Sequence, residues 1–272
     1  MIPEDKWLKA NGIELHYLDW GNPSAMPMVL LHGFTSYARY WDFFARNLKS
    51  EYHILALDLR GHGDSGCASS YTSQDGVLDL AEFASTLKLE NIVLLGLSMG
   101  GLISIPFTAQ YPHIVSKLII VDIGPEFDPA GIAHIQRDVS HEPESFKSEE
   151  EAVQHLKKVQ PFHSEAFLKH QAHYALKRDK DGRLVFKYDK TLCRTVITPD
   201  KGLWDYLEKI KCPTLVIRAA QSDMLSEGTA QKMVARLPRG SLTEVPHATH
   251  NIVGDNPEGF ERAVRQFLGV GG

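Results

Sequence analysis

The stretch Gly96-Leu97-Ser98-Met99-Gly100 constrains the fold of this chain more than any other five residues. It is a G-x-S-x-G pattern, and its surroundings give that pattern meaning. Residues 91–97, NIVLLGL, form a short apolar run of buried parallel-strand type. From Gly100 to Tyr111 the apolar residues switch to helical spacing and stop before Pro112, with Pro106 expected to bend the helix locally. A serine held between such a strand and such a helix lies on a sharp turn, its hydroxyl projecting above the sheet edge. Glycines two residues to either side remove side chains that would collide across the turn.

The flanking sequence repeats this alternation. Residues 7–20 read as two strands joined at Asn11-Gly12, a strong hairpin dipeptide. Short apolar runs follow at 28–31, 52–59 and 117–123, interleaved with helical spacing at 39–48 and 75–87. After Lys201 the alternation resumes, with strands predicted at 214–217 and 242–245 and helices at 227–237 and 257–268. Strands of this kind alternating with helices predict an α/β fold, a parallel sheet with helices on both faces.

Between Pro125 and about Asp200 the character changes. Strand signals nearly vanish, charges crowd in, and six of the 13 histidines fall here. Helices are expected at 149–159 and 164–178, with a turn at Asp181-Gly182. The expected organisation is therefore a core of 1–124 and 201–272 carrying a helical lid at 125–200, placed over the carboxyl edge of the sheet, where open α/β sheets bind ligands.

Composition removes several alternatives. A formal net charge of −5 leaves no basic surplus for neutralising phosphates, which argues against nucleic acid as a partner. No apolar run approaches the length of a membrane span, and the opening MIPEDKWLKANG lacks the apolar region of a secretory signal. Cys67, Cys193 and Cys212 are odd in number and widely spaced, so free thiols and a cytoplasmic location are expected. Oligomeric state is not legible.

A serine hydroxyl is a weak nucleophile until a base takes its proton, and that base needs a third group to orient it. Asp223, just beyond TLVIR, and His250, in EVPHATHN, supply those residue types in the chain order serine, acid, histidine.

With these residues in view the chain resembles the α/β-hydrolase superfamily along essentially its whole length. The resemblance rests on LLHGF, DLRGHGDS, GLSMGG, YPHIVSKLIIVDIGP, the Ser-Asp after TLVIR, and a histidine seven residues before the proline of DNPEGF. It implies a mostly parallel eight-stranded sheet, Ser98 as nucleophile, Asp223 as acid and His250 as base. It further implies an oxyanion hole from the backbone N–H groups of Phe34 and Met99. Asp122, at the end of the preceding strand, is an alternative location for the acid in this superfamily. Glycine commonly precedes the histidine where this chain has Thr249, and His247 is a second imidazole nearby.

The resulting expectation is an esterase- or lactonase-like serine hydrolase acting on a small ester or lactone, with no metal or organic cofactor. Phe34, Met99, Phe127 and Leu225 are expected to border the substrate. Cleavage of an amide or C–C bond by the same triad, and a slow-turnover ligand receptor, are the alternatives. Leu97 and Asn251 stand where C–C hydrolases usually carry Asn and Trp, and Ser98 stands where epoxide hydrolases use aspartate. Asp58, Arg60, His62 and Asp64 read as a glycine-rich turn held by its own polar groups, and His32 as structural.

Overall fold

A computed structural model describes residues 2–194 and 202–271. Strands β1 (Glu4–Ala10) and β2 (Ile13–Asp19) form the predicted hairpin, with Asn11 and Gly12 both at positive φ. Then come β3 (Met26–Leu31), a 3-10 turn at Ala38–Trp41, α1 (Asp42–Leu48), β4 (Tyr52–Leu57) and α2 (Ser73–Thr86). The central unit is β5 (Ile92–Leu97), α3 (Met99–Gln110) and β6 (Val115–Val121).

The insert that follows contains α4 (Pro129–His141), α5 (Glu149–Val159), α6 (Glu165–Tyr174), and the short strands β7 (Leu176–Arg178) and β8 (Leu184–Phe186). The chain ends with α7 (Leu203–Lys209), β9 (Thr214–Ala219), α8 (Glu227–Arg236), β10 (Gly240–Val245), α9 (Ile252–Asp255) and α10 (Pro257–Leu268).

Eight strands pair in the order β1-β2-β4-β3-β5-β6-β9-β10, and only the β1–β2 and β2–β4 pairings are antiparallel. Alternation along the central strands builds two cores. Met28, Leu30, Val93, Leu95, Ile119 and Val121 face one side of the sheet with α1 and α10. Val29, Leu31, Leu94, Leu118 and Ile120 face the other, against α2, α3, α7 and α8. Strands buried on both faces explain why their sequences read as continuous apolar runs. Phe146, Leu156, Phe167 and Leu168 of the insert join the first of these cores, so the insert packs as an extension of it.

Two features of the insert differ from expectation. The helix expected over 164–178 ends at Tyr174, and the chain turns through Asp181-Gly182 as the β7–β8 hairpin. Residues 129–141, to which no separate element was assigned, form α4, started by the Asp128 side chain accepting from the Ala130 N–H and by Pro129 in the first turn. The end expected for the lid near 200 falls at 195–201, outside the described residues.

Candidate active site

The elbow after β5 is built from local backbone constraints. Ser98 has φ 51° and ψ −117°, a conformation L residues rarely adopt, and its side chain makes no cap bond to α3. The alternative role of a serine here, capping a helix, is therefore not the one it plays, and its hydroxyl is left for another partner. The turn is held by the Ser98 N–H donating to the Val121 carbonyl (3.0 Å) and the Gly100 N–H donating to the His32 carbonyl (3.1 Å).

The flanking glycines are required by close approach. A Cβ on Gly96 would lie 2.4 Å from both the Gly100 carbonyl oxygen and Ser104 Oγ, and one on Gly100 would lie 2.5 Å from the Leu31 carbonyl oxygen. Because main-chain atoms cannot swing away, Gly96→Ala is expected to lower the unfolding free energy by about 1–3 kcal/mol. A urea titration checks this, and an unchanged midpoint would show that the elbow relaxes freely.

The His250 ring lies between two partners. Its Nε2 is 2.9 Å from Ser98 Oγ and its Nδ1 is 2.9 Å from Asp122 Oδ2. A carboxylate can only accept, so the proton belongs on Nδ1 and Nε2 is left to accept from the serine O–H. Asp122 is fully buried at the end of β6, itself at φ 50°. Its Oδ1 accepts from the Ala219 N–H (2.9 Å) and its Oδ2 also accepts from the Ser222 hydroxyl (2.6 Å). These bonds compensate the buried charge and lock the carboxylate in one orientation.

The structure places Asp122, and not Asp223 as expected from the sequence, against His250. Asp223 follows β9, the sheet neighbour of β6, and turns away from the histidine toward α4, where its Oδ2 lies 2.6 Å from His134 Nδ1. The preceding Ser222 explains the divergence. Its hydroxyl donates to Asp122 and accepts from the Met224 and Leu225 N–H groups, folding the loop so that the next side chain points outward.

Of the two imidazoles on this loop, His250 reaches Ser98 and His247 is exposed. Thr249 donates from both its N–H (2.8 Å) and its hydroxyl (2.5 Å) to Asp255 Oδ2. Asp255 in turn lies 3.4 Å from Nε2 of His163, a fully buried imidazole whose pKa burial pushes down. Where the family commonly has glycine, this chain ties the loop to α9 and to the insert.

His32 Nδ1 donates to the Gly33 carbonyl (2.7 Å) while its Nε2 accepts from the Leu59 N–H (3.0 Å). Burial lowers its pKa, so it serves as a neutral brace for the Gly33-Phe34 loop. His62 supports the same loop, with Nε2 accepting from the Thr35 N–H and a pKa driven down by burial to about 3. The Phe34 and Met99 N–H groups, one on this loop and one on the elbow, have no protein acceptor among the described residues.

The serine opens onto a cavity of about 190 Å³ between the sheet edge and the insert, lined by Phe34 and Leu97 from the core and by His134, Leu156 and Phe186 from the insert. Of the four side chains expected to border substrate, only Phe34 lines it. Leu225 is fully buried in the core on the α8 side, and Phe127 and the Met99 side chain pack against that same core. The sequence reading also missed α4, which brings His134, Asp138 and Glu142 to the cavity wall. The Asp128-Pro129 start was its available signal.

Among the described residues, His16, Asp58 and Asp64 form a group whose ligand atoms lie within 4.8 Å of one another, the spacing a cation site would need. Asp58 instead accepts from His16 Nδ1 (2.6 Å) and the Ala38 and Asp64 N–H groups, which clamps the glycine-rich turn. Burial opposes its ionisation, but these donors outweigh it and leave its pKa below the ordinary range.

The model of the alpha/beta hydrolase family matches residues 28–263. A 3-hydroxybutyrate-oligomer hydrolase of Cupriavidus necator is 29% identical over 93% of this chain and 92% of its own. An esterase of Mycobacterium tuberculosis is 27% identical over 98% of this chain and 90% of its own. The crystal structure of E-2-(acetamidomethylene)succinate hydrolase superposes with a TM-score of 0.90 at 21% identity, over 98% of this chain and 100% of that one.

Proposed function

The chain belongs to the alpha/beta hydrolase family, and on that premise we propose that it hydrolyses a small carboxylic ester or lactone through an acyl-enzyme on Ser98. The observation that carries this reading is the hydrogen-bonded series Ser98–His250–Asp122, opening at its serine end onto the cavity. The hydrolase names of the relatives support the reaction class.

In this reading His250 Nε2 takes the Ser98 proton as Oγ attacks the ester carbonyl carbon. The carbonyl oxygen, now carrying the negative charge, accepts from the Phe34 and Met99 N–H groups in this reading. The imidazolium then gives its proton to the departing alkoxide, and the C–O bond to the alcohol breaks. Water, deprotonated by the same nitrogen, attacks the acyl-serine; the bond to Ser98 Oγ breaks, Oγ takes that proton back from His250, and the acid leaves. Asp122 holds the tautomer and stabilises the imidazolium without taking its proton. Asp223 is assigned no step. Nucleophile, base and oxyanion donors are all protein groups, so the cycle needs no metal or organic cofactor.

The insert acts as the lid of this site, because its α4, α5, α6 and β8 all contribute to the cavity wall. Among the described residues no helix is long and apolar enough to cross a membrane, and small molecules are the partners proposed. Steady-state turnover of p-nitrophenyl acetate and butyrate tests the reading. Continuous turnover is the expected result. A single stoichiometric release of nitrophenolate followed by arrest would contradict it and favour a ligand receptor.

A further inference from the structure

His250 sits on a loop between the end of β10 at Val245 and the start of α9 at Ile252, so neither a strand nor a helix fixes its backbone. On either side of it, hydrogen bonds converge on one side chain. The Thr249 N–H (2.8 Å) and hydroxyl (2.5 Å) both donate to Asp255 Oδ2, and the Asn251 N–H donates to the Thr249 hydroxyl oxygen (3.3 Å). The residue before His250 is therefore tied to Asp255 directly, and the residue after it through the Thr249 hydroxyl. A glycine at 249 would keep the N–H bond alone and leave the Asn251 N–H without this acceptor.

Asp255 is itself held in place. Its side chain is 2% exposed, and the fully buried His163 ring lies 3.4 Å from its Oδ1. That ring rests against the main chain of α9, since a Cβ on Gly254 would come within 2.3 Å of His163 Nε2, and it meets Phe167 edge-on at 4.7 Å. His163 lies between α5 and α6, so the insert packs on the carboxylate that holds the histidine loop. A buried carboxylate is costly unless donors meet its oxygens, and Thr249 supplies two of them. The task of His250 is sensitive to any slack here. Its ring must reach Ser98 Oγ and Asp122 Oδ2 at once, each at 2.9 Å. A misplacement of about 1 Å costs up to about 100-fold in rate.

We propose that Thr249 and Asp255 are positioning residues of the reaction. Through the Thr249 hydroxyl they clamp the backbone on both sides of His250 and keep its ring in register with Ser98 and Asp122. The proposal rests on the Ser98–His250–Asp122 reading and adds to it the groups that hold the base.

The test compares Thr249→Val and Thr249→Ser with the wild-type chain on p-nitrophenyl acetate. Valine fills nearly the same space and keeps the N–H but lacks the hydroxyl, and serine keeps both. Active sites are counted by the end point of labelling with a p-nitrophenyl alkylphosphonate, so misfolded protein does not enter the rate. Thr249→Val should lower kcat by about 10-fold. KM should change by less than about 2-fold, because acylation and deacylation use the same nitrogen and slow together. Thr249→Ser should recover most of the loss. A role in stability alone would lower the urea midpoint of Thr249→Val and leave its kcat per labelled site unchanged, and that result would overturn the proposal. A Thr249→Ser variant as slow as Thr249→Val would overturn it as well. Absence of turnover in the wild type would instead sink the serine-hydrolase reading, and this inference with it.

Discussion

Asp122→Asn is expected to lower kcat on p-nitrophenyl acetate by about 10⁴-fold, and Asp223→Asn by less than about 10-fold. The difference follows from which carboxylate the histidine meets. Asp122 is fully buried, 2.9 Å from His250 Nδ1, and held from behind by Ala219 and Ser222. An amide there can offer its NH₂ to Nδ1, which moves the ring proton to Nε2 and leaves nothing to accept from Ser98. Asp223 touches His134 instead, so its loss loosens a contact between α4 and the β9 loop without altering the His250 tautomer. Rates for the two variants, with circular dichroism to confirm folding, decide the matter. The opposite ranking would return the acid's role to Asp223.

The larger effect belongs to the nucleophile. Ser98→Ala should reduce kcat by about 10⁶-fold, leaving the residual acceleration that oxyanion donors and binding provide without a serine. The variant should stay folded, because the Ser98 side chain caps no helix and its turn is held by main-chain bonds to Val121 and His32. Retained turnover at even a few per cent of wild type would mean that another group carries the attack.

The elbow and the order of strands and helices in the core were legible because each rests on local rules. The run NIVLLGL is apolar throughout since β5 is covered on both faces, and Gly96 and Gly100 are glycine because main-chain atoms leave no room for a Cβ. The acid was not separable in this way. Asp122 and Asp223 both follow strands of apolar type, and β6 and β9 are neighbours, so either loop delivers an aspartate to the same edge. The bend of the Ser222 loop, a matter of three hydrogen bonds, directs one inward and the other outward.

The insert was the least legible part for a related reason. Its helices are short and polar and bury few residues each, and α4 buries only Gly131, so hydrophobic spacing carries little signal there. That is why His134, Asp138 and Glu142 were not foreseen at the cavity, and why Phe127 and Leu225 were. The latter two sit next in sequence to elements of the site but turn into the core on the other side of the sheet.

The most direct test of the account is the site of covalent labelling. A p-nitrophenyl alkylphosphonate should react once, releasing nitrophenolate and leaving its phosphonyl group on the protein. Peptide mass mapping should then find that added mass on Ser98, with the label lost in Ser98→Ala and strongly slowed in Asp122→Asn. Label on any other residue, or complete inactivation with an unmodified Ser98 peptide, would contradict the assignment of Ser98 as the attacking group.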